Sequence, residues 1–144
     1  MLFRQYSILL LLFLCGCEKY SLSVKREYVD QSTLASTFVQ SPDLRQKNPP
    51  QGELLFIKWR LPEEALKEEL HLSLKIIYQN HTQESLSYPV FQKRGGVTYS
   101  LLNEKYQETQ GFLTYKAELL NGAGTVLREW QQQLWVERIM LDDM

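Results

Sequence analysis

From residue 52 onward, apolar and polar side chains alternate with a period of two, the spacing that puts one face of an extended strand in a core and the other in water. Leu55, Ile57 and Trp59 alternate with Phe56, Lys58 and Arg60 before Pro62 ends the run. Leu70, Leu72, Leu74, Ile76 and Tyr78 alternate with His71, Ser73, Lys75 and Ile77. Residues 80–83 (NHTQ) read as a hairpin turn. The following strand, 85–92, contains Pro89, which cannot donate to a ladder and so marks a sheet edge. Arg94-Gly95-Gly96 reads as a turn, after which Val97, Tyr99 and Leu101 alternate. Leu113, Tyr115, Ala117 and Leu119 form the next strand. Asn121-Gly122-Ala123-Gly124 closes a hairpin, and residues 126–139 form a last strand long enough to bend.

Two short helices are expected. Residues 62–69 start with Pro62, place acids in the first turn and pair Glu63 with Lys67 at i,i+4. Residues 103–110 have Asn103 as a cap and Gly111 at the end. Before residue 52 the pattern is weaker. Residues 18–32 read first as a tether, although Tyr20, Leu22 and Val24 alternate with polar neighbours and so are also compatible with an added edge strand. Residues 33–40 are β-prone, Ser41-Pro42-Asp43 is a turn signal, and QKNPPQG at 46–52 excludes regular structure. Six or seven short antiparallel strands separated by turns predict an all-β sandwich.

The first 17 residues, MLFRQYSILLLLFLCGC, have a different character. Arg4 supplies a positive start, and the seven residues from Ile8 to Leu14 are all apolar, as in the h-region of a secretory leader. A spanning helix needs about 20 apolar residues, so this run is too short to cross a bilayer by itself. Leu14-Cys15-Gly16-Cys17 resembles the lipobox of bacterial lipoproteins, with Cys15 in the small-residue position. The resemblance implies a diacylglycerol on the Cys17 thiol and cleavage between Gly16 and Cys17. The lipid is then a covalent group and no other cofactor is expected. Glu18, not Asp, follows the cysteine; by the family's sorting rule this favours the outer membrane of a Gram-negative envelope. The alternative is an ordinary signal anchor or secreted protein with Cys15 and Cys17 as a redox pair.

A second resemblance concerns the body of the chain. Leu55-Phe56-Ile57-Lys58-Trp59-Arg60-Leu61-Pro62 resembles the B strand of fibronectin type III and related immunoglobulin-like domains, and Tyr115-Lys116-Ala117-Glu118-Leu119 resembles their F strand. It implies an immunoglobulin-like (fibronectin III-like) antiparallel β-sandwich in which Tyr115 makes the corner hydrogen bond. Leu101 and Leu102 precede Tyr115 by more than the family's usual six residues, so a longer connection is expected there. The chain also resembles lipoproteins of chlamydiae, which adds no activity. The expected organisation is a signal peptide at 1–16, lipidated Cys17 and tether to 32, a sandwich at 33–139 and an acidic tail with Asp142 and Asp143 at 140–144.

Composition narrows the function. With 16 Lys+Arg against 17 Asp+Glu among 144 residues, the chain has no basic excess to neutralise a phosphate backbone, and no nucleic-acid partner is expected. Loss of the leader removes Arg4 and Cys15, leaving 15 basic and 17 acidic side chains and no free thiol once Cys17 is alkylated. His71 and His81 are the only imidazoles, one on the polar face of a strand and one in a turn, a poor inventory for a hydrolase. No metal-ligand spacing is present, and no metal site is expected. Glu63, Glu64, Glu68 and Glu69 read as a solvated helix face. Gly122-Ala123-Gly124 lies between strands, not before a helix, and reads as a turn, not a phosphate loop.

Trp130 and Trp135 are five residues apart on one expected strand and so face opposite sides. The outward one, with Tyr88, Tyr99 or Tyr106, would offer a stacking platform for a sugar or peptide. The leading expectation is a membrane-anchored, non-enzymatic binding or scaffolding module. Its partners would be membrane lipid through the anchor and an envelope protein added at an edge, either 85–92 or 33–40. A glycan-binding module and a hydrolase are the alternatives.

Overall fold

The computed structural model describes residues 19–40, 42 and 44–136. Gly16, Cys17, Asp142, Asp143 and residues 137–139 of the expected last strand lie outside them. The element order is β1 (Ser21–Val29), α1 (Ala35–Val39), β2 (Gly52–Arg60), β3 (Leu70–Tyr78), β4 (Gln83–Val90), β5 (Arg94–Leu102), α2 (Asn103–Thr109), β6 (Phe112–Asn121) and β7 (Val126–Gln131). One sheet has the order β1-β2-β5 and the other β4-β3-β6-β7, with all pairs antiparallel. The chain is an immunoglobulin-like β-sandwich.

Its core is the interdigitation of the two inner faces. Leu55, Ile57 and Trp59 of β2 meet Leu70, Leu72, Leu74 and Ile76 of β3 and Ala117 and Leu119 of β6 in one cluster. Each fully buried aliphatic side chain stabilises the fold by about 1.5–3 kcal/mol relative to exposure. Across the larger sheet runs a chain of rings. Tyr78 and Phe112 have centroids 6.1 Å apart, Phe112 and Tyr115 5.9 Å, and Tyr115 stacks on Trp130 at 5.5 Å.

Several expectations are corrected. The reading of residues 18–32 as a tether fails over Ser21–Val29, which pairs residue for residue with β2 from Ser21↔Arg60 to Val29↔Gly52. The alternation of Leu22 and Val24 was the informative signal, because those side chains pack on the core. The sandwich therefore starts at Ser21 instead of 33.

Residues 33–40 are not an edge strand. Asp30 and Thr33 form a reciprocal capping box that starts a 3-10 turn at Gln31–Thr33, and the chain coils into α1. This local hydrogen bonding competes successfully with extension. Pro62 is followed by a 3-10 segment at Glu63–Lys67, shorter than the helix expected there.

Arg94-Gly95-Gly96 is strand, not turn; the chain reverses at 91–93. A Cβ on Gly95 would lie 2.5 Å from Cζ2 of Trp59, and one on Gly96 2.8 Å from the Ile57 carbonyl oxygen. The glycines admit the Trp59 ring and the neighbouring backbone; they do not bend the chain.

The last strand stops at Gln131. Gln132 N–H still donates to the Tyr115 carbonyl at 3.1 Å, but Trp135 N–H turns back to the Gln132 carbonyl at 2.9 Å. Leu113 is displaced from the core by a register shift between Ile77 and Tyr78, which brings Phe112 inward opposite Tyr78.

Other expectations hold. β4 is the outermost strand of its sheet and carries Pro89. Asn121 accepts from the N–H groups of Ala123 and Thr125, fixing the last hairpin. α2 fills the long connection before β6, although Asn103 does not cap it. Leu102 occupies the N-cap position with no side-chain capping bond, and Asn103, at φ 53°, instead accepts from the Gln51 N–H and donates its own N–H to the Gln51 carbonyl.

The Gly95–Trp59 contact is directly testable. Gly95→Ala should lower the unfolding free energy by about 1–3 kcal/mol, the usual range for overpacking, measured by urea denaturation followed through tryptophan fluorescence. An unchanged midpoint would show that the Trp59 ring moves aside freely.

Candidate functional site

The nominated residues do not converge. His71 lies at the start of β3 and His81 in the turn after it, at a φ of 65°. Glu63, Glu64, Glu68 and Glu69 are exposed on the β2–β3 connection, with Glu68 accepting from Asn121 Nδ2 at 3.2 Å. Among the described residues no group of three or more His, Cys, Asp and Glu is placed to hold a metal ion.

The expected aromatic platform is not assembled. Trp130 is half-buried on Tyr115 and packs against the core, as do Tyr88 and Tyr106, while Tyr99 is itself a core residue. Trp135 is half-buried beyond the end of β7. Tyr115, expected to make a corner hydrogen bond, contributes its ring, between Phe112 and Trp130.

What the fold brings together are three polar clusters that no local sequence pattern announces. The first bridges the open side of the sandwich between β4 and β5. Glu84 Oε2 accepts from Lys105 Nζ at 2.7 Å, from Tyr99 Oη at 2.8 Å and from Tyr78 Oη. The two phenol oxygens are 2.6 Å apart, and Lys105 Nζ also reaches Tyr99 Oη at 2.7 Å. Four elements, β3, β4, β5 and α2, are tied at one carboxylate. Burial pushes the Glu84 pKa up, but the bonds from Lys105, Tyr78 and Tyr99 outweigh it and hold it below the ordinary value. Burial, then the bonds to Glu84 and Tyr99, push the Tyr78 phenol well above its usual range.

The second cluster plugs one end of the core. Glu53 points inward from β2 at 2% exposure, pairs with Arg26 of β1 and accepts from the Phe112 N–H of the opposite sheet at 2.9 Å. Arg26 lies over the Tyr28 ring at 5.0 Å and the Phe112 ring at 5.9 Å. Burial disfavours its charge, yet the Glu53 contact prevails and raises its pKa. Gly111, at φ 98°, leaves room for the carboxylate, since a Cβ there would sit 3.2 Å from Glu53 Oε2.

The third lies on the outer face of the larger sheet. Glu118 accepts from Lys116 Nζ at 2.8 Å and Lys75 Nζ at 3.1 Å, and these bonds overcome burial to lower its pKa.

Lys116 Nζ also pairs with Glu129 at 3.4 Å, and the bonds of the three clusters fasten neighbouring strands and, in the first two, the two sheets to one another. Beside the third cluster, a groove of about 400 Å³ is lined by Ile77, Leu113, Leu134 and Val136 together with the polar His81, Gln83 and Thr114. The buried Thr114 hydroxyl below it has no hydrogen-bond partner.

No family profile and no curated protein matches the chain. A solved structure described as the X-ray structure of Northeast Structural Genomics Consortium target SoR45 is similar over 83% of this chain and 93% of that one, at 11% identity and a TM-score of 0.36. A likeness that loose informs neither the fold nor the site.

The clusters set the pH limits of the fold. Glu84 and Glu118 have lowered pKa values, so their stabilisation is present above about pH 4.5 and is lost as pH falls through the depressed folded values. Tyr78, Tyr99, Lys105 and Lys116 have raised values, so theirs is present below about pH 10 and is lost as pH rises beyond it. Urea midpoints measured against pH should show a plateau between these limits. Glu84→Gln should flatten the acid limb and Tyr78→Phe the alkaline one. Arg26→Ala, which leaves the Glu53 carboxylate buried and unpaired, should cost roughly 3 kcal/mol near neutral pH in the same assay.

Proposed function

We propose that the chain is a lipid-anchored protein of the bacterial cell envelope whose β-sandwich is a non-enzymatic binding or scaffolding module. The observation that carries the reading is Leu14-Cys15-Gly16-Cys17 directly after an apolar run of seven. A thiolate is the side chain best suited to take up an alkyl group, and two or three acyl chains hold a protein on a bilayer where one does not. Glu18 after the cysteine favours the outer membrane.

Two features of the fold support a module that binds. Its titratable clusters neutralise themselves, and its two histidines sit at opposite ends of β3. β4, outermost in its sheet, offers one side of its backbone to an added strand.

Intact-mass analysis of the protein from envelopes should give a polypeptide starting at residue 17 and carrying diacylglycerol. Cys17→Ser should move it from the membrane to the soluble fraction. An unmodified residue 17, or a product retaining its leader, overturns the anchor. Crosslinking in envelopes then tests the module: the wild type should capture a partner that a charge placed on β4, Ser87→Lys, removes.

A further inference from the structure

We infer that the end of the sandwich bearing Ser21 docks on the bilayer surface, with Phe91 entering the interface and Lys58, Arg60 and Arg94 against lipid phosphates. The inference rests on the lipid anchor proposed above and adds to it a second, non-covalent contact and a fixed orientation.

Chain length brings this end to the membrane. β1 starts at Ser21, four residues after Cys17. At no more than about 3.6 Å per residue, the first strand begins within about 14 Å of the lipidated sulfur's own residue. The expected tether of some 15 residues would have let the domain tumble well clear of the surface; the strand removes that freedom. Ser21 pairs with Arg60, and Arg60 with Arg94. At about 4.8 Å between neighbouring strands, Arg94 is roughly 10 Å from Ser21 along the same sheet end. Phe91, three residues before Arg94, is at that end too.

Phe91 is 81% exposed although it is a large apolar residue. Its turn is held firmly. Trp59 Nε1 donates to the Gln92 carbonyl at 3.0 Å, and Leu61 N–H donates to the Lys93 carbonyl at 2.8 Å. Behind it, the Trp59 ring occupies the space that a side chain at residue 95 would take. The phenylalanine is therefore presented outward by a braced turn.

Beside it, Arg60 and Arg94 are direct cross-strand partners, and Lys58 is one outward-facing position along β2, its Cγ against Gly96. Like charges placed directly opposite destabilise a sheet. An anion between them removes that cost. Among the described residues no ion pair involves these three cations. The acids at this end, Glu63, Glu64, Glu68 and Glu69, lie on the crossover toward the other sheet. The contact is accordingly a tilted one, with the outer face of the three-stranded sheet toward the headgroups.

The test uses the full chain, matured in a lipoprotein-processing host and reconstituted in vesicles of equal parts phosphatidylcholine and phosphatidylglycerol. Phe91→Trp, at an exposed position, should keep the wild-type urea midpoint. The emission it adds over wild type should shift to the blue and lose about half its intensity when the lipids carry bromine near the acyl carbonyls. Arg60→Glu with Arg94→Glu should abolish most of that quenching. Unquenched emission from residue 91 in protein that floats with the vesicles overturns the docking and leaves the anchor standing; a surface that engages a protein gives this result. An intact mass lacking lipid overturns the anchor instead, and the quenching measured on added vesicles then decides the docking by itself.

Discussion

The fold depends on one contact, the closure of the inner face of β1-β2-β5 over that of β4-β3-β6-β7. No cysteine lies between Ser21 and Val136, so nothing covalent holds the sheets together. Stability must come from apolar area, and the register secures it: Leu55, Ile57 and Trp59 and the alternating leucines of β3 all face inward only because neither strand slips by a single residue.

Polar groups complete what the apolar layer leaves open. A sandwich of two sheets has open sides and ends, and here they are closed by carboxylates that cross from one sheet to the other. Glu53 reaches from β2 to the first N–H of β6, and Glu84 gathers phenols from both sheets together with Lys105. A buried carboxylate without partners would cost more than it contributed. With two or three donors each, these two give the sheets a unique alignment that apolar packing alone specifies loosely. The aromatic row from Tyr78 through Phe112 and Tyr115 to Trp130 has the same effect along the larger sheet.

Placement of β1 links the fold to the proposed role. An N-terminal segment that hydrogen-bonds along all nine of its residues cannot also serve as a long, free linker. A lipid on Cys17 would thus hold the sandwich close to the bilayer, with the end formed by Ser21, Arg60 and Arg94 toward the lipid and the opposite end, where Glu53, Arg26 and Phe112 close the core, directed away from it.

The sequence by itself determined the all-β class, most of the strands and the main hairpins, because a period of two and turn residues such as Asn121 and Gly124 act within a few residues of one another. The resemblance of Leu14-Cys15-Gly16-Cys17 to a lipobox is legible there for the same reason, since its four positions are contiguous. Tertiary structure decided what depends on partners far along the chain. Gly95 looked like a turn until Trp59, thirty-six positions earlier, was packed against it. Residues 21–29 looked like a tether until β2 supplied the ladder, and Trp130 looked available until Tyr115 was stacked on it. The carboxylate clusters were invisible for the same reason: Glu53 and Phe112, or Glu84 and Lys105, meet only after the sheets have closed, and nothing in their immediate neighbours marks them.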